Sequence, residues 1–169
     1  SLVVSAFKNK CSEYSLQPPR LMMEPGRYLV GDAGFLLGKV HAIKESYRRF
    51  VGTDIGFNSL MRPTLYNAYH HICVDGKAGN EVLQNITGQL CENTDVWCVD
   101  RKLPELELGD LLMVEKVGAY GFCMSYPYNG RLQPAEVLVN GKQYEVIRKR
   151  QTVDDLCANI HIPDRLKLK

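Results

Sequence analysis

The chain has 169 residues, 45% hydrophobic and 24% charged, with a formal net charge of +2 at pH 7. This is ordinary globular composition with enough chain for one substantial core, which excludes disorder, and the small, scattered positive charge excludes electrostatic nucleic-acid binding. No apolar run approaches the roughly 20 residues of a bilayer span, so no membrane partner is expected and a cytoplasmic protein is, with a leader upstream of Ser1 left open.

Leu2-Val3-Val4, Ala6-Phe7, Cys11 and Tyr14 fall at helical spacing, so the chain is expected to open on a helix that Pro18-Pro19 keeps from continuing. Leu21-Met22-Met23 is a short apolar run that suits a buried parallel strand. Arg27 to Gly34 allows a helical turn or two. From Phe35 to Lys44 the residues alternate, Leu36, Val40 and Ala42 against Leu37, Lys39 and His41, as in a half-buried strand. Asp54-Ile55-Gly56 with Asn58 marks a loop, in which Asp54 reads as a capping residue, and Asn67 to Ile72 reads as a brief turn. Val114 to Tyr120, Ala135 to Val139 and Gln143 to Arg148 read as strands, and Asn140-Gly141 between the last two is a strong hairpin signal. Val153 to Asn159 is a short terminal helix. Lys142 to Arg150 and Lys167-Leu168-Lys169 read as a solvated strand face and a frayed end. Many short strands after one strand–helix unit predict a mainly β protein with some α, built as an antiparallel barrel or sandwich.

Several residues could carry chemistry. Gly26 in Glu24-Pro25-Gly26-Arg27 lets backbone N–H groups approach an anion closely. Arg62 and Tyr66, four apart across Pro63, share a face on a turn or helix, and a guanidinium with a phenol is a good carboxylate receptor. In Cys91-Glu92 the neighbouring carboxylate disfavours a thiolate, and a protonated thiol is what a proton donor requires. The other five cysteines are expected to be small buried hydrophobes. None pairs in a Cys-x-x-Cys or a Cys/His grouping, and no metal is expected. His70 and His71 are adjacent, point in different directions and read as structural. Asn85-Ile86-Thr87 matches the glycosylation pattern but carries no meaning in a cytoplasmic protein.

Glu24-Pro25-Gly26-Arg27, Arg62-Pro63-Thr64-Leu65-Tyr66, Cys91-Glu92 and Gly118-Ala119-Tyr120-Gly121 recur in this order in the fold-type III pyridoxal-phosphate decarboxylases. From Glu24 to about Leu156 the chain resembles the C-terminal half of a diaminopimelate decarboxylase. The resemblance implies the last strand and helix of a (β/α)8 barrel over residues 1–38 and a β domain over 39–169. A whole barrel takes about 250 residues, and this chain shows neither a Tyr-x-x-Lys Schiff-base segment nor a Gly-Gly-Gly phosphate loop; alone it is expected to be inactive. The resemblance further implies pyridoxal phosphate as cofactor, with Glu24, Pro25, Gly26, Arg27 and Tyr120 around its phosphate. Arg27, Arg62, Tyr66, Glu92 and Tyr120 would hold an amino-acid substrate, and Cys91 would act as a proton donor reaching across a homodimer interface. The usual Cys-Glu-Ser-Gly-Asp run stands here as Cys91-Glu92-Asn93-Thr94-Asp95, which puts loop conformation and fine specificity in question. The implied reaction is meso-diaminopimelate to L-lysine and carbon dioxide. Decarboxylation of D-ornithine or D-lysine, or a non-catalytic dimerisation module, are the alternatives.

Overall fold

The computed structural model describes residues 2–167; of the basic end, Leu168 and Lys169 lie outside the described residues. The chain opens on helix α1 (Leu2–Glu13), which stops where Ser15 turns to φ 50°, ahead of Pro18-Pro19. A short helix α2 (Gly26–Val30) and a 3-10 turn (Gly31–Ala33) follow, covering most of the stretch where helical turns were expected.

The sheet begins with β1 (Leu36–Glu45) and continues through β2 (Arg49–Thr53), β3 (Ile72–Val74), β4 (Glu81–Thr87), β5 (Val96–Pro104) and β6 (Leu111–Val114). Their spatial order is β3-β6-β1-β2-β4-β5, and contacts between β3 and β5 bring the two edges together into a nearly closed sheet. The architecture is mainly β with some helix. Inward-facing Val40, Val51, Ile86, Leu112 and Val114 are at most 1% exposed and form the centre of the core. Removing that apolar surface from water is the main force holding the sheet closed.

The alternation in β1 holds through Val40, after which a bulge between Val40 and Ala42 shifts the register. Ala42 is therefore exposed and Ile43, paired with Val51, turns partly inward, which period-two reading could not foresee. The expectation of an antiparallel domain needs correction at one pair: β2 and β4 run parallel. Helix α3 (Arg62–Tyr66) and β3 lie between them in the chain and supply the crossover a parallel pair requires.

Three local expectations fail. Leu21-Met22-Met23 forms no strand and is 41%, 74% and 59% exposed, because no strand of this chain lies beside it. Val114 to Tyr120 is not a strand: β6 ends at Val114, and Lys116 and Tyr120, both at φ 61°, turn the backbone away. Only Cys11 and Cys98 are buried; Cys91, Cys123 and Cys157 are exposed on loops and a short helix that pack little, and Cys73 is half-buried.

Strands β7 (Glu136–Asn140) and β8 (Gln143–Arg148) form the expected hairpin, with Gly141 and Lys142 as its loop and Gly141 at φ 60°. Val137, Val139, Tyr144, Val146 and Ile147 are exposed on it, so little of the hairpin is covered within this chain. The terminal helix α4 (Val153–Cys157) carries a capping box between Thr152 and Asp155. Asp54 caps as expected, accepting the Lys39 backbone N–H at 2.6 Å. Asn85 is 2% exposed and spans Arg49 and Asp100, so its glycosylation pattern is unreachable. Among the described residues no helix is long and apolar enough to cross a membrane.

Candidate active site

Two glycine contacts dock the two halves of a groove. A Cβ on Gly118 would stand 2.0 Å from the Val30 carbonyl oxygen, and one on Gly34 would stand 2.4 Å from the Gly118 Cα. Backbone therefore lies directly on backbone, and Gly118 N–H donates to Gly31 O at 3.1 Å while Val117 N–H donates to Gly34 O at 2.9 Å. This clamp holds Tyr120 in a left-handed conformation that a tyrosine rarely adopts. Its phenol oxygen lies 3.1 Å from where a Cβ on Gly26 would sit.

The result is an open groove of about 1170 Å³ whose walls include Glu24, Pro25, Gly26, Arg27, Arg62 and Tyr120. The structure thus brings together six of the sequence-predicted site residues from three separate motifs. Arg62 begins α3, with Pro63 at its first turn, and its guanidinium lies 6.0 Å from the Tyr120 ring centroid. Asn67, at φ 50°, closes the helix, so the expected turn starts there and gives way to β3 at Ile72. Tyr66 is 61% exposed at the far end of α3 and is not part of the groove wall.

Cys91 and Glu92 also lie outside the groove wall, on an exposed loop between β4 and β5. Glu92 accepts from the Tyr128 phenol at 3.2 Å and from Thr94 N–H at 3.4 Å. The bond to Glu92 raises the Tyr128 phenol above its usual range. Thr64 of α3 donates to Thr94 O at 3.0 Å, tying this loop to the Arg62 helix. The loop is anchored by Asp95, 2% exposed, whose carboxylate accepts Phe57 N–H at 2.6 Å and Leu90 N–H at 2.7 Å. Burial raises the Asp95 carboxyl, partly offset by those two donors. Gly56 and Gly88 make room for it, since a Cβ on either would come within 2.4 Å of its oxygens. Neither Asn93 nor Thr94 has a positive φ, so this loop does not require the glycine usual at position 94.

Asp95→Ala is expected to cost about 2–4 kcal/mol, because it strands two buried N–H donors and leaves a void. Thermal unfolding of the complete protein checks this; an unchanged midpoint would remove the anchoring role.

The sequence reading gave His70 a structural role and no partners. It is 4% exposed, accepts Arg62 Nη1 at Nε2 over 3.4 Å, and lies with Nδ1 2.8 Å from Glu115 O. Its neighbour His71 faces outward with Cys73 and Glu115, their ligand-type atoms within 4.8 Å of one another. Cys73 donates to Glu115 at 3.5 Å, and burial first, then Glu115, raises its thiol so that it keeps its proton. Spacing in sequence could not reveal either grouping, since Glu115 comes from the end of another strand.

Residues 3–118 match the family of the pyridoxal-dependent decarboxylase C-terminal sheet domain, and the chain belongs to that family. It is 47% identical over 168 residues to the diaminopimelate decarboxylase of Methanothermobacter thermautotrophicus, a match covering 98% of this chain and 39% of that protein. The enzyme of the same name from Neisseria meningitidis serogroup A is 46% identical over 142 residues, covering 83% of this chain and 35% of the relative. Among solved structures, diaminopimelate decarboxylase of M. jannaschii in complex with L-lysine superposes with a TM-score of 0.86 at 43% identity, covering 96% of this chain and 38% of that one. The chain thus spans about two fifths of the length of the relatives it matches.

Proposed function

We propose that the chain is the C-terminal part of a pyridoxal-phosphate-dependent diaminopimelate decarboxylase, which converts meso-diaminopimelate to L-lysine and carbon dioxide in the cytoplasm. The observation that carries this reading is the convergence of Gly26, Arg27, Arg62 and Tyr120 on one groove, in a chain 47% identical to a protein of that name. In this reading residues 1–38 close a (β/α)8 barrel supplied by the rest of the protein, and residues 39–169 form the β-barrel or sandwich domain beside it. Exposed Leu2 and Val3 of α1 and the apolar faces of the hairpin are surfaces that such a barrel would cover.

The residues present fit the cofactor. Gly26, whose missing Cβ would crowd the Tyr120 phenol at 3.1 Å, lets backbone and hydroxyl stand side by side and face one phosphate from the groove, with Glu24 shaping the turn by accepting the Gly26 N–H at 2.9 Å and Pro25 fixing it. Pyridoxal phosphate, when bound, supplies the electron sink for decarboxylation, and its Schiff-base lysine belongs to the barrel portion. Arg27 and Arg62 hold the carboxylate at the substrate's distal end from the groove wall and Tyr66 joins them from the exposed end of α3, outside that wall; Tyr120 bridges cofactor and substrate, and Glu92 receives the distal ammonium. Cys91 delivers a proton to the carbon from which carbon dioxide has left. Since Cys91 and Glu92 stand on an exposed loop away from this groove, the homodimer reading has them complete the site of a second subunit.

In the complete enzyme, Arg62→Lys or Tyr66→Phe is expected to lose one charge-assisted hydrogen bond. That amounts to about 1.5–3 kcal/mol, or roughly ten- to a hundred-fold in kcat/KM, with cofactor content unchanged. Steady-state kinetics on diaminopimelate check this. Wild-type kcat/KM in both variants would dissolve the clamp, and an active-site lysine-bearing wild type that leaves diaminopimelate untouched would overturn the substrate assignment.

A further inference from the structure

We propose that His70 is a positioning residue: held as the neutral Nδ1–H tautomer, it fixes the Arg62 guanidinium at the groove through its Nε2 lone pair, and protonation of this imidazole releases Arg62. The proposal rests on the reading of Arg62 as a substrate-carboxylate receptor. The tautomer follows from the partners. Glu115 O accepts only, so Nδ1, 2.8 Å away, must carry the proton, and Arg62 Nη1 donates only, so Nε2, 3.4 Å away, must be bare. The ring cannot swing away from this arrangement easily. His70 is 4% exposed, its own carbonyl accepts Arg101 Nη1 at 3.0 Å, and Arg101 is itself stacked 4.2 Å from the Tyr69 ring centroid.

The charges facing the imidazole all disfavour its cation. Arg62 on α3, Arg27 on α2 and Arg101 on β5 surround it, and the nearby Glu115 carboxylate is engaged by Cys73 instead, leaving only the Glu115 carbonyl on the ring. Burial, then these arginines, hold His70 below the usual histidine range, with the Glu115 bond opposing them. At neutral pH the ring is therefore an acceptor. When it gains a proton, Nε2 becomes a donor pointed at another donor, and two cations face each other at hydrogen-bond range. Arg62 must then leave, and with it one arm of the carboxylate clamp.

The test uses the complete, cofactor-loaded enzyme. His70→Leu removes both bonds and is expected to raise KM for diaminopimelate about ten-fold, the loss of one hydrogen bond to a charged group, with kcat and cofactor content little changed. His70→Gln sets an amide oxygen near the position of Nε2 and cannot be protonated, so it should restore most of the affinity. In the wild type KM should climb on the acid side as His70 titrates, and in His70→Gln that limb should vanish. A purely structural histidine would lower stability without the KM-specific loss or the altered pH limb. Nitrogen-15 spectra of the wild-type imidazole give a substrate-independent readout: Nδ1 protonated and a titration below the usual range support the proposal. An Nε2–H tautomer, an ordinary titration, or a KM limb that persists in His70→Gln overturns it, even if the enzyme decarboxylates diaminopimelate as proposed.

Discussion

In the complete enzyme, Cys91→Ala is expected to lower product formation by about 10²–10⁴-fold, the range a positioned general acid supplies. Substrate affinity should barely move, since the residues proposed to receive the substrate's carboxylate and ammonium are others. Cys91→Ser keeps a group of similar size but a much poorer acid and should fall between. Packing gives no reason for such a loss: Cys91 is exposed, on a loop fixed at Asp95 and tied to α3 through Thr64 and Thr94. The alanine change at Cys73, Cys98, Cys123 or Cys157 should cost only about 1 kcal/mol of packing. If the donor serves a second subunit, mixing Cys91→Ala subunits with subunits lacking the Schiff-base lysine should restore roughly a quarter of the sites by random dimer statistics. Full activity in Cys91→Ala would remove the acid role, and no recovery in verified mixed dimers would remove the cross-interface geometry.

Motif chemistry was more legible than backbone path. Gly26, Arg27, Arg62 and Tyr120 were singled out by the resemblance of their short motifs to a family, since the local pattern alone suits plain turns equally well, and the fold brings the four to one groove. The strand assigned to Val114 through Tyr120 failed for a non-local reason. Its apolar residues are the same whether the chain continues or turns, and what turns it is the backbone of Val30 and Gly34 pressed against Gly118. Leu21-Met22-Met23 failed likewise: an apolar run signals burial, but burial needs a neighbouring strand. His70 was read only as structural because its two partners lie 8 and 45 residues away, and only the folded β3–β6 edge brings them together.

That same close approach yields the last expected result. Gly118→Ala should destabilise the fold by about 3 kcal/mol and lower kcat/KM by about 10²-fold, although residue 118 touches no proposed ligand. A methyl there would meet Val30 O at 2.0 Å and Gly34 N at 2.9 Å, both backbone atoms that cannot rotate away. The turn must therefore lift from the segment it clamps, breaking the Gly118-to-Gly31 hydrogen bond and withdrawing the Tyr120 phenol from Gly26. A displacement near 1 Å at a group proposed to hold cofactor and substrate is enough for a loss of that order. Gly52→Ala is the matched control. Its new methyl would meet the Ala42 Cβ at 3.3 Å and, at ordinary contact distance, Ala42 O at 3.7 Å and Thr87 Oγ1 at 3.8 Å, all within the sheet, so a small change in stability and an unaltered groove are expected. Thermal unfolding and kinetics on the two variants separate the cases, and a Gly118→Ala enzyme with wild-type melting and turnover would show that the two halves of the groove do not depend on this contact.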